Sequence, residues 1–185
     1  PEYRWTSGVE TTTGPLGQGI ATSVGMAIAS KWLATRYNKP GFDLFTHRVY
    51  AIAGDGCMME GISHEAASLA GHLKLDNLVW IYDNNKITIE GDTDLAFTED
   101  VAKRYEAYGW HVQVVDWTHG GTEYREDVPA LFDAVTAARE VTDKPSLIVL
   151  DTIIAWPAPK AQGTEGAHGS ALGDEEVAAT KKILG

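Results

Sequence analysis

Two short stretches carry residue types suited to chemistry: Gly54-Asp55-Gly56 and Asn84-Asn85-Lys86-Ile87. Asp55 offers a hard anionic oxygen, and Asn84 or Asn85 a neutral carbonyl oxygen. Joined by a backbone carbonyl, phosphate oxygens and a water, these donors complete an octahedral Mg²⁺ site. Gly54 and Gly56 let the backbone come close to a phosphate, and free N–H groups at a helix start would face the anion. Either stretch alone reads as a turn, because Gly, Asp and Asn are common turn formers. As a pair, each closing an apolar run, they point to a metal-bound diphosphate.

The runs that must position them are Val49-Tyr50-Ala51-Ile52-Ala53 and Leu78-Val79-Trp80-Ile81-Tyr82, both of strand character. If these strands are parallel neighbours, both loops leave the same carboxyl edge, where open α/β sheets bind ligands. Upstream, residues 1–13 read as an ordered loop. Residues 13–19 follow G-x-x-G-x-G with no strand before them, unlike the dinucleotide fingerprint. Pro15 is expected near the first position of a helix that continues to about Tyr37, with Ile20, Val24, Ala27, Ile28 and Leu33 recurring at helical spacing. Gly17, Gly19 and Gly25 admit close approach by either a neighbouring helix or a ligand.

Downstream, the pattern predicts a helix over 59–72 with Ile62, Ala66, Leu69 and Leu73 on its buried face. His64-Glu65 lacks the second histidine of a zinc-protease motif, so His64 and His72 read as surface or packing residues. A helix over 99–108, a strand over 111–115, a helix over 126–141 and a strand over 146–151 follow. A Pro/Gly-rich loop over 156–173 then precedes a final helix from Asp174. Strands alternating with helices predict an α/β fold: one domain over 1–185, a parallel sheet with helices on both faces.

Composition narrows the partners. A net charge of −11 and a pI near 4.9 argue against nucleic acid or an anionic membrane, both of which are held by Lys and Arg. No apolar run approaches the roughly 20 residues of a bilayer span. The single cysteine, Cys57, cannot close an internal disulfide, which fits the cytoplasm; its expected role is to fill space. There is no P-loop and no G-x-S-x-G elbow, which disfavours those NTPases and the α/β-hydrolases. A start at Pro1 and an end at Gly185 suggest a fragment or one half of a split enzyme.

Several runs together are more specific. Gly54-Asp55-Gly56 followed by Asn84-Asn85 resembles the thiamine diphosphate fingerprint. Residues 54–63, 68–75 and 105–110, with Thr13-Gly14-Pro15-Leu16-Gly17-Gln18-Gly19 and Ala167-His168-Gly169, resemble transketolase over nearly the whole chain. That resemblance implies Mg²⁺ or Ca²⁺ held by Asp55, the Asn85 side chain and the Ile87 main-chain carbonyl, with Asn84 not a direct ligand. It places the Gly56 amide on the diphosphate, and Gly14, Leu16 and Ile89 around the cofactor's aminopyrimidine. Glu60 would be an acid near the subunit interface, linked to the neighbouring site, and His168 a cofactor contact and proton carrier. Glu165 stands where several relatives carry a second histidine.

The activity implied is transfer of a two-carbon ketol unit from a ketose phosphate to an aldose phosphate, in the pentose phosphate pathway of carbohydrate metabolism. The partners implied are sugar phosphates, a pyrimidine-domain chain or the remainder of the enzyme, and a second subunit in a homodimer. Alone, the chain is expected to form a metal and diphosphate half-site without turnover, and to expose apolar surface. The alternatives are another thiamine diphosphate enzyme, dihydroxyacetone synthase or deoxyxylulose phosphate synthase, and a non-catalytic binding module of the same fold.

Overall fold

The computed structural model describes residues 2–185, so the Pro1 end of the expected first loop lies outside the described residues. In chain order the structure runs through helix α1 (Gln18–Tyr37), strand β1 (Val49–Gly54), and helices α2 (Asp55–Met59) and α3 (Gly61–His72). Strand β2 (Leu78–Asn84), the short strands β3 (Ile87–Thr88) and β4 (Gly91–Asp92), and helix α4 (Val101–Ala107) come next. Strand β5 (His111–Asp116), helix α5 (Val128–Glu140), strand β6 (Ser146–Asp151) and helix α6 (Asp174–Leu184) complete it.

Four strands form one parallel sheet in the order β1-β2-β6-β5. The central strands β2 and β6 are buried along most of their length, because apolar side chains on both faces meet cover. On one face α1, α3 and α4 enclose Leu78, Trp80, Tyr82, Leu147 and Val149. On the other, α5 covers Val79, Val115, Ile148 and Leu150. α5 lies over β5 and β6 and stops short of β1, so Ile52 on the edge strand is 76% exposed.

Aromatic packing locks the first layer. Trp80 of β2 lies 4.6 Å from Trp110 and 5.8 Å from Tyr105, ring centre to ring centre. Such pairs contribute about 0.5–1.5 kcal/mol each beyond their burial. Their polar ends are satisfied: Trp80 Nε1 donates to Ser23 Oγ at 2.8 Å, and Trp110 Nε1 to the Ala67 carbonyl at 2.9 Å. These bonds tie α1 to β2 and α3 to the residue that leads into β5.

Three expectations are corrected. Helix α1 begins at Gln18 rather than at Pro15, because Gly17 is left-handed at φ 75° and cannot continue a helix. The expected 59–72 helix is two helices broken at Glu60, whose ψ of 136° is extended. Its buried face is Ser63, Ala66, Ala67 and Ala70, while Ile62, Leu69 and Leu73 are exposed. Small residues let α3 pack closely on α1, and the large ones remain about half exposed. The hairpin of β3 and β4 was not expected, since two-residue strands carry no readable alternation.

Candidate functional site

β1 and β2 are parallel neighbours with Gly54 opposite Asp83, so the loops after them do emerge side by side at the carboxyl edge. Asp55, the first residue of α2, is 2% exposed. Its Oδ1 accepts from the Tyr82 hydroxyl at 2.6 Å and its Oδ2 from the Lys86 N–H at 3.0 Å. Lys86 is left-handed at φ 61°, and this turn aims its N–H back at Asp55. Burial raises the Asp55 carboxyl above its ordinary value, Tyr82 and the Lys86 and Asn85 amides pull it back down, and Asp83 adds to the rise. The ion pairs of the described residues do not include Asp55. A buried carboxylate with no cation paired to it among the described residues carries an uncompensated desolvation cost.

The amides sit beside it. Asn85 Oδ1 accepts from the Ile87 N–H at 3.0 Å, and Asn85 Nδ2 donates to Asp83 Oδ2 at 3.1 Å. Asn84 Nδ2 donates to Asp151 Oδ1 at 2.5 Å, and the Thr152 hydroxyl donates to Asp83. Ile87, which opens β3, is buried, while Ile89 stands exposed at the tip of the hairpin.

The glycine-rich loop closes on the same corner. A Cβ on Gly56 would lie 3.1 Å from Leu16 Cδ1, so Leu16 rests directly on the turn after Asp55. A Cβ on Gly17 would meet Ile62 at 2.8 Å and Glu60 at 2.9 Å, which settles the close-approach question there in favour of a neighbouring helix. Leu16, Asp55, Gly56, Asn85 and Ile87 are therefore brought together, with Glu60 at the α2–α3 break and Gly14 exposed two residues before Leu16. His168 lies apart from this hydrogen-bonded cluster. It is exposed after a single 3₁₀ turn (Glu165–Ala167), and its N–H bonds the Glu165 carbonyl at 2.9 Å.

Sequence reasoning missed Tyr82, Asp83, Lys86, Asp151 and Thr152. For Tyr82 the signal was present: strand alternation puts it on the face of β2 that carries Trp80 and Asn84. For Asp151 the signal was the β2–β6 register, which pairs it with Asn84 and is visible only in the fold.

The sequence model of the transketolase thiamine diphosphate binding domain matches residues 1–185. The chain belongs to the transketolase family. Transketolase 1 of Escherichia coli (strain K12) is 54% identical over 186 residues, covering 100% of this chain and 27% of that protein. Transketolase from Leishmania mexicana superposes with a TM-score of 0.87 at 47% identity, over 99% of this chain and 26% of that one. A Pichia stipitis transketolase complexed with sedoheptulose 7-phosphate matches with a TM-score of 0.78 at 41% identity, over 93% of this chain and 29% of that one. The chain thus spans about a quarter of the length of its transketolase relatives. Its Asp55 corner belongs to a thiamine diphosphate-binding domain of a transferase family.

Proposed function

We propose that the protein transfers a two-carbon ketol unit from a ketose phosphate to an aldose phosphate, with this chain forming the diphosphate and metal end of the site. The observation that carries this is Asp55: buried, oriented by two hydrogen bonds, without an ion-pair partner among the described residues, and set beside Asn85 and Ile87. Carboxylate, amide and main-chain carbonyl are all oxygen donors, the set preferred by hard cations such as Mg²⁺ and Ca²⁺. Asp55, the Asn85 side chain and the Ile87 carbonyl hold that cation. Thiamine diphosphate, when bound, supplies the carbanion chemistry that ketol transfer needs.

The remaining residues bind and orient. The Gly56 amide, with no side chain to obstruct it, lies against the diphosphate, and Leu16, already packed on Gly56, shapes the wall for the aminopyrimidine with Gly14 and Ile89. His168, on its exposed loop, would contact the cofactor and serve as a proton carrier. Glu60, exposed at the helix break, faces a second subunit in a homodimer and the cofactor site beyond it. Sugar phosphates like the one in the Pichia stipitis complex are the substrates, in the pentose phosphate pathway of the cytoplasm. The pyrimidine-binding part comes from the rest of the polypeptide or from a separate chain.

Calorimetry with thiamine diphosphate tests this reading. Binding that requires Mg²⁺ is expected, together with no ketol transfer by these 185 residues alone. Metal-independent binding, or turnover without a second chain, would overturn it.

A further inference from the structure

Tyr82 does more than fill the core. Its ring is 2% exposed, and its hydroxyl lies 2.6 Å from Asp55 Oδ1 and 2.9 Å from Asn84 Oδ1. A phenol has one proton and cannot donate to both oxygens. The nearer, charged oxygen of Asp55 takes it, since hydrogen bonds to an ionised acceptor are the shorter and stronger kind. Asn84 then suits the phenol oxygen only with its amide turned so that the nitrogen faces Tyr82, and the two ends of an amide are interchangeable in shape. That rotation presents the Asn84 oxygen to Asp151 Oδ1 at the 2.5 Å separation of the pair. A proton on Asp151 completes an unbroken run of donors from Asp151 through Asn84 and Tyr82 to Asp55. Burial, which raises the Asp151 carboxyl above its ordinary value, acts in the same direction.

From this geometry we infer that Tyr82 is a positioning residue: braced by Asn84, its hydroxyl holds the Asp55 carboxylate in the orientation that receives a divalent cation. The second Asp55 oxygen, held by the Lys86 N–H, is fixed from the other side, so the carboxylate plane is set before cation or diphosphate arrives. The inference rests on the reading of Asp55 as a metal ligand.

The test is a titration of Mn²⁺ into the full chain with thiamine diphosphate in excess, free Mn²⁺ being read by its electron paramagnetic resonance signal. If the unsubstituted chain binds no Mn²⁺, the cation-site reading falls and this inference with it. If it binds, Tyr82→Phe, which keeps the buried ring, should weaken Mn²⁺ binding about tenfold while the metal-free chain still melts cooperatively. Unchanged Mn²⁺ affinity in Tyr82→Phe would overturn the role of Tyr82 alone. Asp151→Asn and Asp151→Ala form a second pair, neither of them ionisable, that differs in whether a donor to Asn84 remains, and they carry the test if Tyr82→Phe fails to fold. Asparagine still donates to Asn84 and should retain affinity, whereas alanine should lose it. Equal loss in both would show that a donor to Asn84 is not what matters at this position and would overturn the run of donors.

Discussion

Asp55 is surrounded by groups that disfavour its charge: it is buried, Asp83 is nearby, and a phenol and backbone amides are what steady it. Asparagine at this position leaves every neighbour satisfied once the Asn84 amide turns back: the new oxygen accepts from Lys86, the new nitrogen donates to Tyr82, the phenol donates to the Asn84 oxygen, and the Asn84 nitrogen donates to an ionised Asp151. Asp55→Asn should therefore raise the melting temperature of the metal-free chain by about 2–4 °C, as expected for about 1 kcal/mol. The same variant should lose Mg²⁺-dependent binding of thiamine diphosphate. Differential scanning calorimetry and titration calorimetry read the two effects, and a fall in metal-free stability would contradict the account of a strained carboxylate. His111 gives a pH-dependent counterpart away from the site. Burial, aided by the Lys144 ammonium, holds its imidazole below the ordinary 6.5, against a smaller opposing effect of Asp143. The unfolded chain therefore takes up a proton first as pH falls. Stability present above pH 6.5 is lost as pH drops through the folded-state value. His111→Gln should flatten the melting temperature between about pH 7 and about pH 5.

At the scale of elements, the tightest requirement falls on Gly71 near the end of α3. A Cβ there would stand 1.9 Å from the Tyr108 carbonyl oxygen, which follows α4. Gly71→Ala must push these helix ends apart and stretch the Trp110 to Ala67 bond, at a cost of about 2–4 kcal/mol, seen as a lower urea midpoint at unchanged slope. Strand β6 was legible at both of its boundaries because an apolar run buried on both faces needs no partner-specific information. The break at Glu60 was not read although Gly61 follows it, because a single glycine inside a helical pattern is tolerated, and the seating of this junction against Gly17 is visible only in the fold. Nor could spacing identify the buried face of α3, where Ile62 and Leu69 looked like core but the fit to α1 selected alanine and serine. Within the site, Asp55 and Asn85 stood out because their types are chemical. Alternation put Tyr82 on the face of Asn84, but in an apolar strand a tyrosine also passes for packing, so its type did not single it out.

Over the whole molecule, the sheet is only partly covered. Tyr50 and Ile52 share their face with Val79 and Ile81, beyond the reach of α5, on an edge strand with unpaired backbone groups. Exposed apolar area next to an open edge favours association. The isolated chain should form dimers or larger species on size-exclusion chromatography, and Ile52→Lys should shift it toward monomer without changing its circular dichroism. A monomeric parent would contradict this. The strand order β1-β2-β6-β5 also has a bearing on synthesis. The strand made last, β6, occupies the middle, so β2 and β5 have no shared neighbour until residues 146–151 have left the ribosome. The Asp55 corner is built from residues that all precede β5 and can begin to form earlier, but Asn84 receives its partner Asp151 only with that final insertion. A chain cut short of β6 loses the centre of its sheet rather than an edge.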